Sequence, residues 1–181
     1  MTGITPEWAA AQMPRVARAV AELPEMGGVR LAMSMHLDMK MVPLVAGLRA
    51  KGAELYITTC NPATVRDAVV AEMRGLGAEV AAWKDMGQAD WDTAIAGGID
   101  WAPTHLSEMG ADYTNHLLTT GRAMPSVRAG LEATGSGINR LQGALPPWPI
   151  FNWDDLPVKE GLHNRHMVGL TTWAALFQRT L

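Results

Sequence analysis

The stretch "VRLAMSMHLDMKMVPLVAGLRAKGAELYITT", residues 29–59, decides the fold. Two runs rich in apolar and β-branched residues, 29–35 and 53–59, flank a segment whose apolar residues recur at helical spacing over 38–51. The alternation continues outward. Strands are predicted at 78–83, 99–104, 126–131 and 148–152, with helices at 63–75, 88–97, 110–120, 136–142 and 157–179. A leading helix is predicted over 6–22, where Thr5 reads as N-cap and Pro6 as the first helical residue. Strands and helices alternating at this spacing imply a parallel sheet with helices on both faces. The expected fold is therefore α/β: a Rossmann-like, doubly wound, mostly parallel sheet in a single domain over 1–181, with 1–27 as an N-terminal helical segment.

In such folds ligands collect at the carboxyl ends of the strands, where loops run into helix N-termini. Polar residues gather at those ends here: "SMHLD" (34–38), "TTCN" (58–61), "EATGSG" (132–137) and "NWDD" (152–155). Pro43 and Gly161 interrupt two of the helical patterns. The chain of 181 residues is 48% apolar and 18% charged, with a net charge of −3 and no basic block, which argues against nucleic acid as a partner. No basic segment leads into an apolar run at the start, and no stretch reaches the roughly 18 apolar residues of a membrane span. A cytoplasmic protein without a membrane partner is expected. The single cysteine, Cys60, excludes an internal disulfide and a Cys-rich zinc site, and reads as a small buried residue. No two histidines stand at a ligand spacing with a carboxylate, so no metal is expected.

The colinear series "MHLDMKMVPLVAGLRAKGAELYITTCN", "GAEVAAWK", "GADYTN", "GLEATGSGINRL" and "FNWDDLPVKEGLHN", running from about residue 28 to 165, resembles the opening of S-adenosylhomocysteine hydrolase. Its counterparts there are a Leu-His-Met-Thr segment, a Ser-Ser-Cys-Asn turn, a Gly-Gly-Asp-Leu-Thr-Asn segment, a Glu-Glu-Thr-Thr-Thr-Gly segment and an Asn-x-Asn-Asp-x-x-x-Lys-x-x-x-Asp-Asn segment. The resemblance implies a nucleoside-sulfur pocket that includes His36, Asn61, Glu132, Thr134, Lys159 and Asn164. The chain also departs from the pattern. The second glutamate of the family's pair is Ala133, an aspartate of its Asp-Asp-Gly-Gly-Asp stretch is Met109 with Glu108 and Asp112 beside it, and the aspartate after the lysine is His163. In the adenine-contacting segment, Asp38 and Lys40 stand for threonine and glutamate. The family oxidises the ribose with an NAD held by a separate domain, and this chain has no G-x-G-x-x-G, so no NAD is expected.

A pocket of this kind without redox machinery resembles that of small S-adenosylmethionine-dependent methyltransferases with the same fold, such as the pyridinol methyltransferases. The expected function is thus methyl transfer from S-adenosylmethionine, with S-adenosylhomocysteine as product, to a small hydroxylated, heteroaromatic acceptor. Such a reaction needs alignment, proton removal and exclusion of water. The expected catalytic set is His36, Lys159 and His163, where Lys159 and His163 are i,i+4 neighbours and the lysine stabilises an acceptor anion. Asp38, Asn61, Glu132, Thr134 and Asn164 are expected at the cofactor. Trp148, Trp153 and His166 are expected at the acceptor, since tryptophan faces wall aromatic rings and attract a sulfonium. Each also has a plain structural reading: Asp38 as an N-cap, Asn61 as a turn former, the 159–166 face as solvated helix, the tryptophans as core. His105, His116 and the twelve methionines are read as surface and packing residues. The competing functions are cleavage of S-adenosylhomocysteine or a related nucleoside without NAD, and a non-catalytic module that binds S-adenosylmethionine or its product. A homodimer is the expected assembly.

Overall fold

The computed structural model describes residues 4–180, and its centre is a sheet of six strands, all parallel, in the order β3-β2-β1-β4-β5-β6. The strands are β1 (Arg30–Met35), β2 (Glu54–Thr59), β3 (Glu79–Val80), β4 (His105–Glu108), β5 (Ala129–Glu132) and β6 (Ile150–Asn152). The helices are α1 (Pro6–Gln12), α2 (Pro14–Glu22), α3 (Val42–Ala50), α4 (Asp67–Gly75), α5 (Gln88–Asp100), α6 (Asp112–Thr120), α7 (Gly135–Leu141) and α8 (Gly169–Thr180), with short 3-10 turns at Met39–Met41 and Pro62–Thr64. The fold class expected from the sequence is the one observed. β2 and β4 flank β1, so the chain runs outward in opposite directions from β1, and the carboxyl ends of β1 and β4 mark the switch point where such sheets bind ligands.

The sheet is covered on both faces because alternate residues of its strands are apolar on each. Met33, Met35, Leu55 and Ile57 pack with Val45 and Leu48 of α3 and Val69 and Met73 of α4. Ala32 and Leu106 pack on the other face with Ile95 and Ile99 of α5 and Tyr113 and Leu117 of α6. Each fully buried aliphatic side chain contributes roughly 1.5–3 kcal/mol. Gly98 lets α5 come close to the sheet, since a Cβ there would stand 2.6 Å from Cε1 of Tyr113 and 2.9 Å from Cε1 of Tyr56.

Three elements differ from the sequence expectation. The run 99–104 is the end of α5 and a turn, and the strand is His105–Glu108. Ile99 belongs to the core as a helical residue, and Arg30 closes the turn by lying 4.0 Å over the Trp101 ring and donating to the carbonyls of Trp101 and Ala102. The leading helix is two helices. Thr5 does cap it, accepting from Trp8 N at 3.2 Å, but Pro14 lacks the N–H that would continue α1 and instead opens α2. The region 157–179 is π-helical over Val158–Val168 before α8 begins, and none of its residues is buried. Among the described residues no helix is long and apolar enough to cross a membrane, and no group of three metal-ligating side chains forms.

Candidate functional site

Strand register lines up a row of polar side chains across the sheet. Thr58 of β2 pairs with Ser34 of β1, Ser34 with Glu108 of β4, Glu108 with Glu132 of β5, and Glu132 with Asn152 of β6. In-register residues of parallel strands share a face, so the row crosses the switch point two residues beyond the apolar layer of Ala32 and Leu106. Ser34 and Thr58 are fully buried, Glu132 is 1% exposed and Glu108 3%. Buried carboxylates are costly unless hydrogen-bonded, and here the partners are mostly backbone amides of the loops above the strands.

Glu108 accepts from Tyr113 N (2.7 Å), Thr114 N (3.2 Å) and the Thr114 hydroxyl, and so caps the N-terminus of α6 from within its strand. Burial raises its carboxyl to about 7, against the lowering effect of these donors, which places proton exchange near neutral pH. Glu132 accepts from Gly110 N (3.1 Å), Ala111 N (2.7 Å), Thr134 N (2.7 Å) and the Thr134 hydroxyl (2.7 Å). These bonds hold Ala111 in the left-handed region at φ 56°, strained for a residue with a Cβ. Gly137 makes room for the carboxylate: a Cβ there would fall 2.2 Å from Cδ of Glu132. Asp112, at the first turn of α6, accepts from the Ser34 hydroxyl at 2.5 Å and from Arg140 at 3.3 Å, while Arg140 also reaches the Gly110 carbonyl at 2.9 Å. Burial raises Asp112 as well. Cys60, just past β2, has its thiol pushed up to about 12 by burial and by the nearby charge of Asp112, so at neutral pH it is no nucleophile.

Around this centre the structure places the residues singled out in the sequence. His36 is exposed at the end of β1, with its Nδ1 3.0 Å from the Thr64 hydroxyl. Asp38 and Asn61 cap the two 3-10 turns, accepting from Lys40 N and Ala63 N, both at 3.2 Å. Thr134 caps α7 through Gly137 N at 3.0 Å. These four and Glu132 all stand at the carboxyl edge of the sheet. Lys159 pairs with Asp154, whose carboxylate lies where a Cβ on Gly135 would approach within 2.8 Å, so this lysine is tied to the start of α7. His163 and His166 are exposed on the π-helix; the Nδ1 of His163 lies 3.2 Å from Asn164, and Asn164 donates to Glu160 at 3.1 Å. Trp153 is 40% exposed, but Trp148 is 7% exposed inside the core cluster of α5 and α6, with its indole N–H unpartnered, and so differs from the aromatic wall expected. Sequence reasoning misses Ser34 and Arg140, and it notes Glu108 and Asp112 without giving them a place in the site. A serine inside an apolar strand, between Met33 and Met35, is the available signal for the first.

The turns after β1 and β4 do not form a phosphate cradle of the kind a dinucleotide needs. The β1–α3 turn is His36-Leu37-Asp38, with Leu37 fully buried, where close backbone approach calls for glycine. The N–H groups of Gly110 and Ala111 after β4 are already taken by the Glu132 carboxylate.

Residues 7–136 match the family described as S-adenosyl-L-homocysteine hydrolase. The S-inosyl-L-homocysteine hydrolase of Methanococcus maripaludis is 30% identical over 96% of this chain and 44% of its own length, and that of Methanopyrus kandleri 30% over 96% and 43%. The adenosylhomocysteinase of Thermococcus kodakarensis is 27% identical over 96% and 43%. The chain thus spans less than half the length of the curated relatives it matches. Among solved structures, the quinone oxidoreductase of Thermus thermophilus aligns over 93% of this chain and 54% of its own at 15% identity, with a TM-score of 0.44; the fold assignment rests on the strand order instead. These relatives correct the functional expectation. They are hydrolases, so the methyltransferase reading, with S-adenosylmethionine as donor to a hydroxylated acceptor, is set aside, and nucleoside cleavage fits better. The substitutions at Met109 and Ala133 suggest lost acid function, yet Glu108, Asp112 and Glu132 keep three carboxyl groups at the switch point. The chain belongs to the S-adenosyl-L-homocysteine hydrolase family.

Proposed function

We propose that this chain binds a nucleoside thioether of the S-adenosyl- or S-inosyl-homocysteine type and serves its hydrolysis. The observation that carries the reading is the row Ser34, Glu108 and Glu132 at the switch point of a chain belonging to this family, with the Asp112 carboxylate hydrogen-bonded to Ser34. A ribose offers hydroxyl donors, and carboxylates at a strand edge accept them. In this reading Asp112 receives a sugar hydroxyl, Arg140 orients that carboxylate, Glu132 fixes the loop 109–111 before it and Glu108 holds the turn of α6 after it.

Titration calorimetry with S-adenosyl-L-homocysteine and S-inosyl-L-homocysteine tests the binding, and release of homocysteine tests the hydrolysis. Binding of at least one thioether is expected, weakened about tenfold or more in Asp112→Asn by loss of a charged hydrogen bond. If neither thioether binds, the reading fails.

A further inference from the structure

α3 and α4 cover one face of the sheet over β1 and β2, but among the described residues no helix packs closely on that face over β4, β5 and β6. Strand register sets Leu31, His105 and Ala129 in one row there and Ser107, Leu131 and Phe151 in the next. None of the six is buried, whereas Ala32 and Leu106, under α5 and α6 on the opposite face, are. A groove of about 370 Å3 opens along this bare face, with Met26 and Val29 at its side. Parallel sheets are ordinarily covered on both faces.

α8 is the converse case, since every one of its residues is exposed. Leu170, Trp173, Ala174 and Phe177 recur at i, i+3, i+4 and i+7 and so line one side of it, while Thr171, Thr172 and Arg179 fall on the other. The rings of Trp173 and Phe177 stack with centroids 5.8 Å apart, which orders the stripe in advance of any partner. A helix of 12 residues with no packed face is marginal in water.

The two surfaces match in size and in character. Strands β1, β4, β5 and β6 span about 14 Å at roughly 4.8 Å apart, and α8 is about 18 Å long at about 1.5 Å per residue. The only charged side chain on α8 is Arg179, and neither row of the sheet face has an acidic or basic one except His105, so nothing marks either surface for an ionic partner. α8 does not lie on its own groove: the joint at Gly169 is helical, with φ −59° and ψ −50°, and makes no turn back toward the sheet. Leu170, Trp173, Leu176 and Phe177 are each about half exposed. Together they offer on the order of 400 Å2, so a reciprocal exchange of helix for groove buries on the order of 800 Å2 per copy, the size of a stable interface.

We propose that the chain forms a two-fold dimer in which α8 of each copy lies in the groove over β4, β5 and β6 of the other. Because the exchange is reciprocal, it closes at two copies. It stands apart from the nucleoside reading, since Ser34, Glu108, Asp112 and Glu132 do not line the groove. Sedimentation equilibrium on the full chain should give twice the 19.5 kDa chain mass in the micromolar range. Trp173→Ser/Phe177→Ser alters only exposed residues and should keep the circular dichroism spectrum while weakening the dimer about a hundredfold or more. Phe151→Ser, on the groove side, should weaken it about tenfold. Disulfide cross-linking in a Cys60→Ala background reads the arrangement: Trp173→Cys chains should link to Phe151→Cys chains when the two are mixed, and not to one another. A wild type that stays monomeric across the micromolar range, or a dimer that survives Trp173→Ser/Phe177→Ser, overturns the proposal. A mixed pair that does not link, Trp173→Cys chains that link to themselves, or a dimer indifferent to Phe151→Ser overturns the exchange and leaves α8 pairing elsewhere.

Discussion

The carboxyl edge of β1, β4 and β5 and the segment 153–168 look alike in the sequence, since each mixes acidic and basic or hydroxyl residues in a family-like order. In three dimensions they differ in where their partners come from. Glu132 bonds to the loop after β4, 21 and 22 residues away, and Ser34 to Asp112, 78 residues away. His163 and Asn164 bond within four residues of themselves, on a helix that buries none of its side chains. Distant partners fix a polar group relative to the whole sheet. Near partners fix it only relative to its own turn. A motif therefore marks a built site when its partners lie far off in sequence.

The sharpest way to break this contrast is at Glu132. Glu132→Ala leaves buried donors of residues 110, 111 and 134 unpaired, and a cost on the order of 3 kcal/mol is expected. In a chain of this length that lowers the melting temperature by roughly 6–12 °C, read by circular dichroism. Gly137→Ala should approach the same loss, because its Cβ must displace the same carboxylate. A melting temperature unchanged in both variants would erase the distinction between the two regions.

The next effect is one of pH. Glu108 is raised from 4.5 to about 7 by burial, so the folded chain holds this proton where the unfolded chain has released it. Stability attributable to this group is full below pH 4.5 and declines as pH rises to about 7, by about 3 kcal/mol in all. Denaturant midpoints measured across that window should fall in the wild type and stay flatter in Glu108→Gln. A wild-type slope that the substitution leaves unaltered would show that another group carries it.

The smallest effects belong to the π-helical region. A Cβ on Gly161 meets nothing within 4 Å, so Gly161→Ala should be neutral or stabilising by up to about 1 kcal/mol, through helix propensity alone. His163→Ala and His166→Ala should move the melting temperature by no more than about 2 °C, as exposed substitutions do. A loss comparable to that of Glu132→Ala would mean this helix is packed against something as firmly as the sheet edge is.

Much of the fold was legible from 29–59, because β1, α3 and β2 each bury the residues that their apolar pattern marks. β4 was not. Its four residues, His-Leu-Ser-Glu, carry a carboxylate that the strand buries, whereas the apolar stretch before it belongs to α5 and a turn. The clustering of Asp38, Asn61, Glu132 and Thr134 at strand ends could be read from spacing. That Glu132 holds a left-handed Ala111 could not, because backbone partners across a parallel sheet leave no local mark in the chain. Trp148 shows the converse. Flanking the strand that leads to the lysine segment it resembled a ligand wall, but it fills the core under α5 and α6.

The bonds from Glu132 to Gly110 and Ala111 also set an order of assembly. The loop after β4 has no other carboxylate anchoring those two amides, and its left-handed alanine does not hold that conformation on its own. It can settle only once β5 has been added beside β4. Closing that connection spends chain entropy before the contact rewards it. The last part of this region to become native during folding is thus the loop 109–111 that leads into Asp112, and refolding followed by a probe in that loop should lag behind burial of Tyr113 in the core.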